Sequence, residues 1–284
     1  MSAGSRPPGR TRLTIVACGT VLAGLVLLAV LGPALAGGDP RAIGDVLATR
    51  LLPPGSADSL GRFHVLGTDR FGRDVLLRML VAARLSLAVG VLGSVFAGLL
   101  GTLLGAWGGW RGGLADLVVT ATADALLAVP RLVLLLVIAA LWGPGTLTTV
   151  AVLVATGWMG VARLVRAEVL GARGRDWVDA ARALGGTDRR VLWRHVLPNA
   201  VGPAIVATTL GVGNAILLES GLSFLGLGIQ PPAPSWGNMI AGGRDLIVTA
   251  PWIAIAPGIA LVVTVLACTL LGDALRDRLA GDGA

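Results

Sequence analysis

The sequence predicts an all-α integral membrane protein with six transmembrane helices. Three observations predict it. Hydrophobic residues are 55% of the 284 and charged residues only 14%, where a soluble domain carries about 45–50% and about 25%. Mean hydropathy is +0.81. Several apolar runs reach the ~20 residues that a helix needs to cross a bilayer. Glycine, at 42 residues, suits close helix packing in lipid and would weaken helices in water.

Residues 1–12 form a tail with Arg6, Arg10 and Arg12. The first span, 13–36, ends on Ala34-Leu35-Ala36, which resembles a signal-peptidase site. Its apolar run exceeds the ~7–15 residues of a secretory signal core. A retained helix is the expectation and a cleaved signal the alternative.

Residues 37–84 form a loop. Within it Phe71, Val75, Leu76, Met79, Leu80 and Ala83 fall on one helical face, and Arg70, Asp74 and Arg78 follow at i,i+4 spacing. That pattern predicts an amphipathic helix along the membrane interface, or a solvated surface helix.

Residues 85–272 form the core, with further spans at 85–107, 117–141, 146–164, 200–222 and 251–272. In the second span Gly101 and Gly105 make a GxxxG step that lets another helix approach closely. Pro130 and Pro257 are expected to kink the third and sixth spans.

Six spans put both termini on one side, and the arginines of 1–12 favour the cytoplasm. The loop 165–199 then faces inward with its many arginines, as does the tail 273–284. Loop 37–84 also carries seven arginines and opposes this topology, although inward arginines outnumber its own.

All 23 basic residues are Arg. Without Lys there is no Walker A phosphate loop, so any ATP drive belongs to a partner. The arginines flank apolar runs, which reads as membrane-flanking charge and not nucleic-acid binding. Cys18 and Cys268 lie in apolar runs as small buried hydrophobes. The HExxH, CxxC and GxSxG motifs are absent and only two histidines occur, so neither a catalytic nor a metal site is predicted.

Loop 165–199 has the most pattern. Trp177, Ala180, Ala181 and Leu184 sit at i, i+3, i+4 and i+7, one stripe of a short helix. Gly185-Gly186 stops it, Thr187 caps a second helix, Asp188 occupies its first turn, and Pro198 marks a break before the fifth span. The stripe fits a groove on a soluble partner, or packing on the chain's own bundle or on lipid headgroups.

Asp179-Ala180-Ala181, then Gly185, then His195-Val196-Leu197-Pro198 resembles the EAA loop of binding-protein-dependent ABC importer permeases, with Asp179 in place of Glu. The likeness extends through Gly67-Thr68-Asp69, Gly72-Arg73-Asp74 and Arg84-Leu85-Ser86-Leu87 to Asp124-Ala125-Leu126-Leu127-Ala128-Val129-Pro130. It continues in Leu222-Ser223-Phe224-Leu225-Gly226-Leu227-Gly228, Pro231-Pro232 and Ser235-Trp236-Gly237, and ends in Leu271-Gly272-Asp273 with Leu275-Arg276-Asp277. These segments are similar to the second permease of dipeptide, oligopeptide and nickel importers. Leu77, Ala82 and the tail depart from that pattern.

The resemblance implies a type I ABC importer permease fold in a bacterial inner membrane. It implies a second permease subunit as heterodimer partner, cytoplasmic ATP-binding subunits and an external solute-binding protein. ATP would be used by the partners and no cofactor held by this chain. Trp177, Asp179, Ala180, Ala181, Leu184, Gly185, His195, Leu197 and Pro198 would form the ATPase-coupling loop.

Charges within spans are costly and mark function or internal pairing. Asp124 and Arg131, seven apart, would share a face of one regular helix, and Glu219 lies late in the fifth span near Asn214. Asp124, Arg131, Asn214 and Glu219 are expected either to line a solute path or to serve as anchors and internal pairs. An ion-gradient-driven secondary transporter is the alternative function, although such carriers commonly show internal repeats and none is evident.

Overall fold

A chain in lipid must satisfy every backbone N–H and C=O within itself, so its apolar runs become helices. A computed structural model describes residues 8–36 and 46–281. In order these form α1 (Pro8–Ala36), α2 (Val46–Thr49), the antiparallel pair β1 (Ser56–Ala57) and β2 (Phe63–His64), and α3 (Val75–Arg111). Then come α4 (Gly113–Leu127), α5 (Arg131–Trp142), α6 (Thr146–Arg173), α7 (Asp176–Ala183) and α8 (Asp188–Val191). A π-helical stretch, Leu192–Val196, leads into α9 (Leu197–Phe224), followed by α10 (Trp236–Gly243) and α11 (Trp252–Gly281). Five of the helical runs are long and apolar enough to cross a bilayer, and six crossings result if the pair α4–α5, bent by 93°, counts as one broken span.

The long helix α3 is the axis of the bundle, packed on α6 and α9. Its glycines make this possible. A Cβ on Gly101 would stand 2.5 Å from the Trp158 carbonyl oxygen, and one on Gly105 2.3 Å from that of Ala162. The GxxxG step is therefore the α3–α6 contact. Gly90 and Gly98 do the same toward Ile216 and Thr208 of α9.

At one end of the bundle lie the start of α3, the end of α9, α10 and the start of α11. Arg84 donates to the carbonyls of Ala29 and Val30 in α1, Trp236 N–H to Ser86 Oγ at 3.3 Å, and Trp252 Nε1 to the Thr68 carbonyl at 3.2 Å. At the other end, Trp110 near the end of α3 meets Arg173 of α6 and Arg182 of α7. The start of α1 and the end of α11 share this second end.

Several expectations need correction. No interfacial helix occupies residues 70–83. Helix α3 begins ten residues before the expected 85, where Asp74 caps it by accepting from Leu77 N–H at 2.8 Å. Phe71 lies outside the helix because Asp69 accepts the N–H groups of Phe71 and Arg73 at 2.8 and 3.0 Å, folding the chain into a turn. Gly72 completes that turn at φ +73, with the Thr49 hydroxyl 2.1 Å from where a Cβ would sit.

The third span is broken and not merely kinked. Pro130 offers no N–H and disfavours helix at the residue before it, so α4 and α5 separate. By contrast Pro198 makes no break: it sits in the first turn of α9, and the π-helical stretch Leu192–Val196 just before it carries the helical run on into α9. Pro257 lies inside the uninterrupted α11, which runs through the expected tail to Gly281. Residues 8–12 likewise belong to α1. The remainders of both tails, and 37–45 of the loop 37–84, lie outside the described residues.

The arginines of loop 37–84 find partners. Arg62 pairs with Asp58 and Arg73 with Asp69, each at 2.7 Å, and Arg78 lies 3.6 Å from Asp69. Arg70 donates to the Gly242 carbonyl and Arg84 to α1. Five of the seven are thus held within the protein, which lessens their opposition to the topology.

Candidate coupling loop and intramembrane charges

Helix α7 is short and polar, with Asp176 and Asp179 in its first turn at the positive end of its dipole. It ends as its glycines dictate. Gly185 takes φ +85 and donates to the Arg182 carbonyl at 2.9 Å, while Gly186 donates to that of Ala181 at 3.1 Å. The Thr187 hydroxyl then accepts the Arg190 N–H at 3.4 Å and opens α8.

Of the readings of this loop, packing on the chain's own bundle describes one face of it. Val178 is fully buried among Trp110, Val169, Val191 and Val196, so one face packs on the chain's own bundle. Most of the stripe faces away from that core: Leu184 is 90% exposed, Trp177 40% and Ala180 exposed, while Ala181 is half-buried and packs against the core. Farther on, His195 and Pro198 are exposed and Leu197 half-buried. A cavity of about 480 Å³ opens beside the stripe, lined by Glu168, Arg175, Trp177 and Asn199 among others. Asp179 is largely exposed, and its carboxylate reaches Arg182 at 3.5 Å.

Arg182 also stacks over Trp110, 5.1 Å from the ring, with Arg173 at 5.9 Å. Sequence reasoning missed this clamp. Its only trace in the sequence was a tryptophan beside Arg111 at the end of an apolar run. The buried Val178 was missed because the stripe at i, i+3, i+4 and i+7 centres on the opposite side, with only Ala181 reaching the same core.

The intramembrane charges do not converge. With α4 and α5 broken apart, Asp124 and Arg131 share no helix face. Asp124 pairs with Arg163 at 3.3 Å, both about half exposed. Arg131 is half-buried, with Nε 3.5 Å from the Thr156 hydroxyl. Asn214 is exposed on α9. Glu219 is fully buried in a nest of serines: Ser223 Oγ donates to Oε1 at 2.7 Å, Ser220 Oγ lies 3.4 Å from Oε2, and Ser86 and Ser235 also bond to it. This ties α9 to α3 and α10. An unforeseen pair joins α4 to α6, where Arg166 grips Asp116 with two nitrogens, Nη2 at 2.6 Å from Oδ2.

At the opposite end of the bundle, His64 Nδ1 lies 2.7 Å from Asp74 and Nε2 3.6 Å from Asp58. Burial opposes a charged Asp58. Hydrogen bonds from Arg62, backbone and side chain, and from Leu60 outweigh it and lower the carboxyl to about 2.

A bundle of spanning helices around a glycine-rich axis, with a short amphipathic helix presented at one end, is the architecture of a membrane-embedded helical subunit. The chain belongs to the family of binding-protein-dependent transport system inner membrane components, whose model matches residues 99–281. It is therefore a multi-pass inner membrane subunit of an ATP-driven, binding-protein-dependent importer, not an ion-gradient carrier.

A peptide transport system permease protein of Brucella suis is 41% identical over 255 residues, 90% of this chain and 83% of its own. The di/tripeptide transport system permease protein DppC of Pseudomonas aeruginosa is 40% identical over 256 residues, 90% of this chain and 84% of its own. A solved chain of the MetNI methionine ABC transporter, in an inward-facing conformation, shares the fold with a TM-score of 0.55. It is 18% identical and covers 70% of this chain and 95% of its own.

Proposed function

We propose that this permease imports di- or oligopeptides or related small solutes, and that a separate ATPase drives it by docking on α7. The observation that carries the coupling role is the division of α7 into two faces, Val178 buried in the bundle and Leu184 bare. A helix held from behind and apolar in front transmits a push to the bundle it is packed on. Trp177, Asp179, Ala180, Ala181 and Leu184 form the contact, Gly185 the turn, and His195, Leu197 and Pro198 the root of α9 that moves with it. The peptide reading rests on the names of the relatives.

In this reading the end bearing α7 and both termini is cytoplasmic, a second permease completes the path, and a solute-binding protein delivers at the opposite end. ATP binds only the partners, and favours one of two arrangements of the helices, since equal affinity for both would shift nothing. Along the path, Arg131 is the charge left over: Asp124 is engaged by Arg163 and Glu219 by serines.

The test uses the complex reconstituted in vesicles with its ATPases, second permease and binding protein. Leu184→Asp should abolish most ATP-driven dipeptide uptake and weaken ATPase co-purification. Undiminished uptake and co-purification would refute the coupling role, and a complex that imports no peptide would refute the solute class.

A further inference from the structure

Resting on that reading of the solute, we propose that Arg131 and the cavity beside it recognise a carboxylate, the free terminal carboxylate of the solute, midway through the membrane. Arg131 opens α5 at the break in the third span. It keeps its charge at any physiological pH, and a cation at this depth is costly unless it meets an anion or water. Among the described residues no carboxylate pairs with it, and Asp124, its nearest acid in sequence, is turned to Arg163.

The surrounding helices leave room for the guanidinium and for something more. Gly157 has no side chain where one would collide: a Cβ there would stand 2.8 Å from the Ala97 Cβ of α3 and 3.0 Å from an Arg131 terminal nitrogen. Beyond lies a cavity of about 40 Å³, lined by Arg131, Gly157, Ser94, Gly98, Thr208 and Gly211. Ser94, Thr208 and Gly157 stand near the middles of α3, α9 and α6, so the cavity lies at mid-depth. Apart from Arg131 and Val161, its walls are glycine, alanine and hydroxyl residues. A space of this size holds a few waters or one small polar group, so it would take the end of a peptide and not its length. A guanidinium presents paired donors that match a carboxylate.

The test is equilibrium binding of dialanine and of dialanine amide to the whole membrane complex without its binding protein. The wild type should prefer the free acid at least tenfold. Arg131→Gln should abolish that preference by weakening the acid alone, and Arg131→Lys should retain part of it. Gly157→Ala, which keeps the arginine but crowds it and presses on Ala97, should also erode the preference, and Arg131→Lys serves if Arg131→Gln fails to assemble. An equal loss for both ligands, or a preference that survives Arg131→Gln, overturns the inference. The first of these outcomes points to a partner carboxylate as the arginine's true mate. A wild type that binds both ligands equally overturns it alone. A wild type that binds neither overturns the peptide reading, and the inference with it.

Discussion

Adding a methyl to the α3–α6 contact tests the central packing claim. In Gly105→Ala the new Cβ would stand 2.3 Å from the Ala162 carbonyl oxygen, where ordinary contact begins at 3.4 Å. The helices must part there by about 1.1 Å, and neither side can yield by rotating a side chain, because the obstacle is backbone. Gly101→Ala meets the Trp158 carbonyl at 2.5 Å and asks for about 0.9 Å. Overpacking of this kind costs about 1–3 kcal/mol, or about 5- to 150-fold in the folded-to-unfolded ratio at tenfold per ~1.4 kcal/mol.

Both substitutions push the same two helices apart, so one displacement relieves both. The double variant should therefore cost well under the sum of the singles, as expected of coupled sites. Gly160→Ala is the control, with no atom within 4 Å of its Cβ. It should match or exceed wild type, since Ala is the better helix former by ~0.8–1.0 kcal/mol. The assay is denaturant-induced unfolding of the purified protein in detergent, followed by circular dichroism. Fully additive losses, or a Gly105→Ala protein as stable as wild type, would refute the close-approach argument.

Two other outcomes follow from the ends of the bundle. Trp110→Leu removes the ring beneath Arg173 and Arg182, each stack contributing about 0.5–1 kcal/mol at an exposed site. Amide exchange in 176–183 should quicken severalfold while that of α3 stays unchanged, and unaltered exchange in α7 would show the clamp to be idle. The Asp58 carboxyl has its pKa lowered from 3.8 to about 2 in the folded protein. Its ionised form thus stabilises the loop fully above about pH 4 and ceases to as the pH falls through 2. Peptic cleavage between Leu60 and Phe63, corrected for pepsin's own profile, should accelerate between pH 4 and 2 in wild type. Asp58→Asn should cleave quickly throughout, and a wild-type rate that is flat across this window would count against the argument.

The spans were legible because lipid imposes a single demand on the backbone. A run of apolar residues such as 251–272 has few alternatives to a helix, and its composition alone announces it. The GxxxG step was legible for a similar reason, since Gly101 and Gly105 point to a close approach whatever the partner. Loop 165–199 was legible down to its turn, because Gly185 and Thr187 act on their immediate neighbours. Residues 70–74 misled because hydrophobic periodicity is blind to side-chain capping: Asp69 and Asp74 take up backbone N–H groups that a helix would otherwise bond. Asp124 and Arg131 misled because the argument from spacing assumed one unbroken helix.

By itself, then, the sequence determined that the chain lives in lipid, that it does so as five or six helical spans, and where the short helix between its fourth and fifth expected spans begins and ends. These depend on composition and on interactions a few residues long. Which face of α7 is buried, which carbonyl each glycine meets, and which charges are mated or left alone were decided only in the tertiary structure. Val178 and Trp110, Arg131 and Gly157, and Glu219 and Ser86 are distant in sequence. Their pairing depends on the depth and rotation at which each helix settles against its neighbours, and close packing sets those quantities jointly for the whole bundle.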